Sequence, residues 1–281
     1  MKSCRPLILF LLAASSFVPL GNSIERQPSS VYRARRVALA ARLHGGVAVL
    51  FAAEEAQIDL MPYRQDEDFY YLTGWNEPGA ALLVVAEPEK EAPGSATPAP
   101  PRQYAETLFL PTRNLRQEKY TGVKLDAATP NVAQAVGVDA VKPMTDLPRV
   151  LNEYISQDRR LASHIWAEPD SAQAKALVDF TAATLGANSF PATVDVRHSV
   201  LELRVIKDAG EIDLLRKASD ASIAGQRVMM KSVSPGVTER AIAGKMTAAW
   251  LEAGCERGSY APIVGSGINS TTLHYSENSA T

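Results

Sequence analysis

Apolar residues in the first two thirds of the chain form short continuous runs, separated by stretches with helical spacing. Runs of strand length lie at residues 47–53, 80–86, 107–110 and 164–167. Helical spacing occurs at residues 29–43, 147–155 and 171–185. Continuous apolar runs are typical of strands that are covered on both faces. The alternation of strands and helices therefore predicts an α/β domain with a mixed sheet.

The last third of the chain has a different pattern. Residues 193–206 have extended character, and residues 209–231 carry apolar or small side chains at helical steps of three and four. Thr238 is a good N-cap for a second helix, which ends at Gly254. One or two strands cannot bury the faces of two amphipathic helices, so this region is expected to be an incomplete domain. The strands predicted after the second helix are residues 260–264 and 272–275.

The N-terminus has the pattern of a signal peptide. Lys2 and Arg5 precede an apolar run at residues 7–14, and small residues follow the run. The run is shorter than the roughly 20 residues that span a bilayer, which argues against a permanent membrane anchor. The sequence predicts a signal peptide at residues 1–23 and an exported protein, periplasmic or secreted, that begins near Ile24. Earlier cleavage and an uncleaved apolar tail are the alternatives.

Composition indicates a folded protein of roughly two domains, because the 281 residues are 46% hydrophobic and 21% charged. The formal net charge of -2 gives no general positive field, so nucleic acid is not an expected partner. Cys4 lies in the predicted signal peptide, which leaves Cys255 as the thiol of the mature chain. A packed role is favoured for Cys255. Residues 87–102 are rich in proline and charge and predict a surface loop.

The histidines do not form a zinc pattern. The chain has histidines at positions 44, 164, 198 and 274, and none has a second His or Cys at the spacing of two to five residues that zinc sites use. We interpret His44, His164 and His198 as structural. His274 lies in segment 273–278, LHYSEN, where polar side chains cluster at a predicted strand end. Structural and catalytic roles both stay open for His274 on this pattern alone.

Two further polar patterns favour structural roles. The acidic residues 66–68 directly precede an aromatic segment, which favours a loop that caps this segment over a metal cage. Residues 265–267, GSG, lack the third glycine of a dinucleotide-binding loop and precede a predicted strand, which favours a tight turn.

Several stretches resemble one known family. Residues 63–78, YRQDEDFYYLTGWNEP, resemble the N-terminal domain signature of the aminopeptidase P (Xaa-Pro aminopeptidase) family. Residues 203–218, 263–269 and 273–278, which read LRVIKDAGEIDLLRKA, IVGSGIN and LHYSEN, resemble the opening of the catalytic domain of that family. Together the stretches cover nearly all of the chain after the predicted signal peptide, in the same order as in the family.

The resemblance implies a creatinase-like α/β domain at residues 24–200, followed by the start of an α+β pita-bread catalytic domain at residues 201–281. It implies metal-dependent hydrolysis that releases the N-terminal residue from peptides with proline at position two. In the family, two Mn²⁺ ions are held by two Asp, one His and two Glu, and the first Asp comes shortly after the segment that matches residues 273–278. The chain ends at Thr281, so we expect no metal ligands and no activity in this chain alone.

The resemblance also implies roles for two residues. His274 matches a histidine of the family that lies beside the metals and hydrogen-bonds the substrate or its tetrahedral intermediate. Tyr120 falls where relatives often carry a tryptophan that reaches the cleft of a neighbouring subunit, which implies substrate binding. The family often forms dimers or tetramers, so the resemblance also implies a homo-oligomer. A prolidase-like Xaa-Pro dipeptidase and a metal-free binding module with a peptidase fold are the alternative functions.

Overall fold

A computed structural model of the protein describes residues 26–54, 63–86, 104–157, 165–186 and 193–281. The described chain divides into two compact units, Arg26–Leu214 and Leu215–Thr281. The domain boundary after residue 200 stays a prediction. The predicted signal peptide, the predicted loop at residues 87–102 and His164 lie outside the described residues.

Within the described residues, the unit Arg26–Leu214 contains a six-stranded mixed sheet with the strand order β4-β3-β2-β1-β5-β6. The strand β2 pairs antiparallel with β1 and β3, whereas the pairs β1–β5, β3–β4 and β5–β6 are parallel. The mixed α/β sheet predicted from the sequence is thereby confirmed. The strands are β1 (Val47–Phe51), β2 (Ala81–Ala86), β3 (Tyr104–Leu110), β4 (Ala140–Pro143), β5 (Ile165–Ala167) and β6 (Val194–Asp195).

Helices cover both faces of this sheet. Alternate side chains of β1 and β2 enter two separate apolar clusters, as the two-residue period of a strand requires. One cluster includes residues of α1, α2 and α7, and the other includes residues of α5 and α6. The helices of the described chain are α1 (Ser29–Ala40), α2 (Glu67–Thr73), α3 (Glu118–Thr121), α4 (Val132–Val136), α5 (Leu147–Gln157), α6 (Ala172–Leu185), α7 (Val196–Val205), α8 (Ala209–Ser232) and α9 (Glu239–Glu252).

The extended conformation predicted for residues 193–206 is wrong, because α7 occupies most of this stretch. The side chain of Asp195 accepts a hydrogen bond from the backbone N–H of Arg197 and thereby caps the helix. Val196 and Val200 lie one turn apart and are both fully buried. Burial of one helical face thus outweighs the strand preference of the valines in this stretch.

The strands predicted at residues 260–264 and 272–275 are also wrong. Residues Gly267–Thr271 form a short 3-10 helix, and the flanking residues are irregular. The described part of residues 215–281 offers no strand with which these residues could pair, and isolated strands are not stable in water. Side chains bind the backbone of this stretch instead: Asn278, for example, bonds the N–H of Val264 and the carbonyl of Pro262.

The residues 66–68 form the start of a helix, so the loop predicted there is wrong, although the capping role is confirmed for Asp66. The Asp66 side chain accepts a hydrogen bond from the N–H of Phe69, and α2 begins at the next residue, Glu67. Phe69 is fully buried. The helix ends at Gly74, which has a left-handed backbone, and a Cβ there would lie 2.5 Å from the ring of Tyr32.

In the unit Leu215–Thr281, α9 packs against the part of α8 that lies in the same unit. Thr238 caps α9, as predicted, by accepting a hydrogen bond from the N–H of Ala241. Trp250 lies directly over Gly225 of α8, where an added Cβ would come within 2.3 Å of the indole nitrogen. The close approach of the indole to α8 therefore requires a glycine at this position. None of the described helices is both long enough and apolar enough to span a membrane.

Candidate functional site

The segment that carries His274 is held by polar contacts and buries little apolar surface. Asn278 is the only buried residue among residues 260–281. Its side-chain oxygen accepts a hydrogen bond from the N–H of Val264 at 2.9 Å, and its side-chain nitrogen donates to the carbonyl of Pro262 at 2.9 Å. Asn278 therefore ties the end of the chain to the residues that precede the 3-10 helix.

A second set of contacts converges on Glu239, the first residue of α9. One carboxylate oxygen, Oε1, accepts hydrogen bonds from the N–H and the hydroxyl of Ser266 and from the side-chain nitrogen of Asn269, at 2.6, 2.9 and 3.1 Å. The other oxygen, Oε2, accepts from the hydroxyl of Tyr275 and the N–H of Ala280, both at 2.9 Å. We call Glu239, Ser266, Asn269, Tyr275 and Ala280 the Glu239 cluster.

The Glu239 carboxylate stays charged over a wide pH range. Burial opposes the charge, but hydrogen bonds from the backbone N–H groups of Ser266 and Ala280 and from the side chains of Asn269 and Ser266 favour it. The result is a pKa of Glu239 that falls to about 2. A carboxylate at the start of a helix also complements the positive end of the helix dipole.

His274 itself is exposed, and so are its neighbours Leu273 and Ser276. It lies in a turn that is closed by a hydrogen bond from the N–H of Tyr275 to the carbonyl of Thr272. The imidazole of His274 is therefore exposed, while a hydrogen bond holds the backbone of the turn that carries it. An exposed imidazole can donate a hydrogen bond to a bound molecule or accept one from it. The catalytic role of His274 stays a prediction.

Tyr120 lies in the other unit, on the short helix α3, and is 87% exposed. The helix is held by a bidentate ion pair in which Arg113 donates to both carboxylate oxygens of Glu118, at 2.6 and 2.8 Å. Glu118 also accepts a hydrogen bond from the N–H of Lys124, at 3.1 Å. These contacts lower the pKa of Glu118 to about 2, and the hydrogen bond from Arg113 has the largest effect. Tyr120 is accessible to a partner or a substrate, but its role stays a prediction.

The stretch at residues 63–78 is organised around Gln65, whose side chain is almost completely buried. Its oxygen accepts hydrogen bonds from the N–H of Ala53 at 2.7 Å and from the hydroxyl of Tyr63 at 2.9 Å. Its nitrogen donates to the carbonyls of Trp75 and Glu77, both at 3.1 Å. The side chain thereby joins the end of β1 to the loop after α2. These contacts give the stretch a structural role.

An acidic cavity of ≈ 800 Å³ lies beside this stretch, with Asp66, Asp68, Glu168 and Arg204 among its lining residues. Burial, followed by the nearby charge of Asp66, raises the pKa of Glu168 to about 7. Burial likewise raises the pKa of Asp68, although Arg204 forms an ion pair with it. No sequence pattern points to Glu168, because its acidic neighbour in the cavity, Asp66, is distant along the chain.

Within the described residues, His44, His198 and Cys255 do not assemble into a site. His44 is exposed after the end of α1, and His198 is exposed on α7, where its Nε2 lies 3.3 Å from a carboxylate oxygen of Glu202. Cys255 is partly buried as a free thiol, and its N–H bonds the carbonyl of Trp250. Among the residues that the structure describes, no group of three or more His, Cys, Asp and Glu side chains could hold a metal ion.

A family motif points to His274, whereas no sequence pattern points to Glu239. An acidic residue directly after an N-cap is common in helices, because it complements the helix dipole. Nothing in the local sequence distinguishes Glu239 from such a residue. Its role depends on contacts with residues that lie 27 to 41 positions further along the chain.

Two family models match the chain. The model described as the aminopeptidase P N-terminal domain matches residues 32–163, and the model described as metallopeptidase family M24 matches residues 213–281. A Xaa-Pro aminopeptidase of Escherichia coli (strain K12) is 30% identical over 259 residues, which cover 88% of this chain and 54% of the relative. A probable Xaa-Pro aminopeptidase of Penicillium rubens is 29% identical over 242 residues, which cover 84% of this chain and 46% of the relative. The chain spans about half the length of the curated relatives that it matches.

Solved structures give the same result. Proline aminopeptidase P II from Yersinia pestis has a TM-score of 0.77 at 30% identity, over 90% of this chain and 57% of that protein. Aminopeptidase P from E. coli with the inhibitor Pro-Leu has a TM-score of 0.76 at 27% identity, over 91% of this chain and 56% of that protein. The predicted fold class, a creatinase-like α/β domain followed by part of a pita-bread domain, is confirmed. The chain therefore belongs to the aminopeptidase P family of the M24 metallopeptidases.

Proposed function

We propose that the protein is a Xaa-Pro aminopeptidase, which hydrolyses the first peptide bond of peptides that carry proline at position two. The observation that carries the proposal is the match of both parts of the chain, in order, to the two domains of this family. The relatives named Xaa-Pro aminopeptidase support it over the prolidase-like and binding-module alternatives.

In this proposal, His274 acts on the substrate. Its side chain is exposed, whereas the neighbouring residue Tyr275 is hydrogen-bonded to Glu239. An exposed imidazole on an anchored backbone can donate a hydrogen bond to the oxyanion that forms when the carbonyl before proline is attacked. It can also transfer a proton during the reaction. Both actions stabilise charge in the transition state more than in the bound substrate.

The cofactor in this proposal is a pair of Mn²⁺ ions, which supply the activated water and stabilise the oxyanion in two-metal hydrolases. The M24 family is a metallopeptidase family, which supports a divalent metal. Metal analysis of the protein expressed from its complete reading frame tests this part, with two Mn²⁺ ions per chain as the expected result. A purified active enzyme without a divalent metal would contradict it.

Peptide hydrolysis tests the activity. The protein expressed from its complete reading frame, supplied with Mn²⁺, should release the first residue from an Xaa-Pro-Xaa tripeptide and leave the matched Xaa-Ala-Xaa tripeptide intact. Cleavage confined to Xaa-Pro dipeptides would favour the prolidase-like alternative. Binding of the tripeptide without cleavage would favour the binding-module alternative.

The proposal also includes a homo-oligomer and an exported location. The 87% exposure of Tyr120 is compatible with a contact to a substrate held by a neighbouring subunit. Light scattering coupled to size-exclusion chromatography tests the oligomer, and a monomer at working concentration would contradict it. The signal-peptide pattern at residues 1–23 supports export.

A further inference from the structure

We infer that Glu239 is a positioning residue for His274, because its carboxylate holds the residues on both sides of the turn that carries the imidazole. The inference rests on the proposed function, in which His274 acts on the substrate. Glu239 does not touch the substrate in this inference. It acts through the backbone of residues 269–275.

Glu239 contacts residues that precede His274 and residues that follow it in the sequence. Before the turn, the side-chain nitrogen of Asn269 donates to Glu239 at 3.1 Å, and the carbonyl of Asn269 accepts from the N–H of Thr272 at 3.1 Å. After the turn, the hydroxyl of Tyr275 donates to Glu239 at 2.9 Å. Asn269 also donates to the hydroxyl of Tyr275 at 3.0 Å, so these three side chains form a closed set. His274 lies between Asn269 and Tyr275 and is exposed, and its side chain is the one in this stretch that can transfer protons.

Apolar packing cannot supply this positioning. The apolar residues that α9 buries are Ile242, Ala243, Met246 and Ala249, whereas Asn278 is the single buried residue in residues 260–281. A segment without apolar burial keeps its position through hydrogen bonds, and the strongest of these involve a charged partner. Glu239 is 3% exposed and is the charged group at the centre of these contacts.

Glutamate and glutamine at position 239 differ in the number of hydrogen bonds that their side chains can accept. Both oxygens of Glu239 accept hydrogen bonds, and five donors use them. A glutamine of the same shape has one accepting oxygen, and its NH₂ group would face donors instead. Glu239→Gln therefore loosens one side of the turn while it keeps the volume of the side chain. A displacement of about 1 Å at a catalytic group can reduce the rate by about 100-fold.

The test is a double-mutant cycle in the protein expressed from its complete reading frame, with an Xaa-Pro-Xaa tripeptide as substrate. We expect Glu239→Gln to reduce kcat by roughly 10-fold to 100-fold with little change in KM. In a background that carries His274→Ala, the same substitution should reduce kcat no further, because the positioned group is gone. Glu252→Gln, an exposed residue at the other end of α9, is the matched control and should keep the kcat of the wild type.

A merely structural Glu239 would behave differently. Glu239→Gln would then reduce kcat by the same factor in both backgrounds, or it would reduce only the melting temperature. Either result overturns the inference. If Glu239→Gln does not fold, Tyr275→Phe replaces it in the cycle, because it removes one donor to the same carboxylate. The expected loss of kcat is then smaller, and it should again vanish in the His274→Ala background.

A second measurement does not depend on activity. Amide hydrogen exchange of this chain should be faster in Glu239→Gln than in the wild type at Ser266 or at Ala280, whichever amide faces the NH₂ group, and at Tyr275, whose N–H closes the turn. Unchanged exchange at these amides overturns the inference even if the protein is a peptidase. If the wild type cleaves no Xaa-Pro peptide, the proposed function fails, while the exchange result still decides whether Glu239 fixes this turn.

Discussion

The guanidinium of Arg36 and the carboxylate of Glu106 form a bidentate ion pair inside the unit Arg26–Leu214. Nε of Arg36 lies 2.6 Å from Oε2 of Glu106, Nη2 lies 3.0 Å from Oε1, and both side chains are fully buried. The remaining donors of Arg36 reach the carbonyls of Leu72 and Gly137 at 2.8 and 2.7 Å. One guanidinium thereby connects α1, the end of α2, β3 and the chain before β4.

We predict that Arg36→Met and Glu106→Gln each reduce the free energy of unfolding by about 3 to 5 kcal/mol, because each breaks the buried ion pair. Arg36→Met leaves the buried carboxylate of Glu106 with only the exposed Arg33, at 3.1 Å, and Glu106→Gln leaves the buried charge of Arg36 without a carboxylate. Urea denaturation of each variant measures the loss. The double substitution Arg36→Met with Glu106→Leu should destabilise less than the sum of the single changes, since no buried charge is left over.

The matched control is Arg149→Met on α5, whose guanidinium forms ion pairs with Asp146 and Glu153 at the surface. Exposed ion pairs contribute little to stability, so this variant should stay close to the wild type. Equal losses for Arg36→Met and Arg149→Met would contradict the importance of the buried pair.

The central elements of the fold could be predicted from the sequence. The strands β1 and β2 are continuous apolar runs, and both lie in the middle of the sheet, where each face is covered by helices. The helix α9 could be predicted because Thr238 has the side chain of an N-cap and apolar residues follow at helical spacing. In these cases the local pattern and the tertiary surroundings favour the same conformation.

Other features depend on partners that local patterns do not reveal. Arg36 and Glu106 are 70 positions apart, and charged residues are rarely buried, so nothing in the sequence places them in the core. Residues 260–275 have strand-like composition, but no described strand of their unit is available for pairing. For the site, His274 could be proposed from a family motif, whereas the contacts of Glu239 form only in the folded chain.

Glu168 gives a prediction for the pH dependence of stability. Its pKa is raised by burial to about 7 in the folded protein, whereas the ordinary value is 4.5. Between these values the unfolded chain loses its proton while the folded protein keeps it, so folding becomes less favourable as pH rises from 4.5 to 7. Glu168→Gln should therefore be more stable than the wild type at pH 8 and equally stable at pH 4.

Melting temperatures of wild type and Glu168→Gln at pH 4, 6 and 8 test this prediction. The matched control is Asp179→Asn on α6, an exposed carboxylate in the same unit, for which we expect no such pH-dependent difference. A Glu168→Gln variant whose stability relative to the wild type is the same at all three pH values would contradict the raised pKa.

Export predicts a defined N-terminus. Because two basic residues and an apolar run precede small residues, the mature protein should begin near Ile24. N-terminal sequencing of protein recovered from the periplasm or the medium measures this position. Recovery of the protein in the cytoplasm with Met1 intact would contradict export.

Tyr120 gives a prediction that separates binding from folding. The side chain is 87% exposed, so Tyr120→Ala should leave the melting temperature unchanged. If Tyr120 contacts the substrate, KM for an Xaa-Pro-Xaa tripeptide should rise several-fold, by about the 1 kcal/mol of one aromatic contact. Lys119→Ala, the exposed neighbour on α3, is the control and should keep the KM of the wild type. An unchanged KM in Tyr120→Ala would remove Tyr120 from the substrate site.

His274→Ala tests the catalytic assignment most directly. In the protein expressed from its complete reading frame, we expect kcat to fall by roughly 10² to 10⁴, because the help that an imidazole gives to proton transfer or to an oxyanion has this magnitude. Metal content should stay that of the wild type, since His274 is not a metal ligand in the proposal. The melting temperature should also stay unchanged, because the side chain is exposed.

The control for His274 is His198→Ala. His198 is likewise exposed, on α7, and its imidazole lies 3.3 Å from Glu202, so removal costs at most a surface ion pair of about 0 to 1 kcal/mol. This variant should keep the kcat of the wild type. A structural His274 would show the reverse pattern, with a loss of stability of about 1 to 3 kcal/mol and little change in turnover. The exposure of the His274 side chain makes such a loss of stability unexpected. Near-normal turnover of His274→Ala would exclude the catalytic role even if the protein cleaves Xaa-Pro peptides.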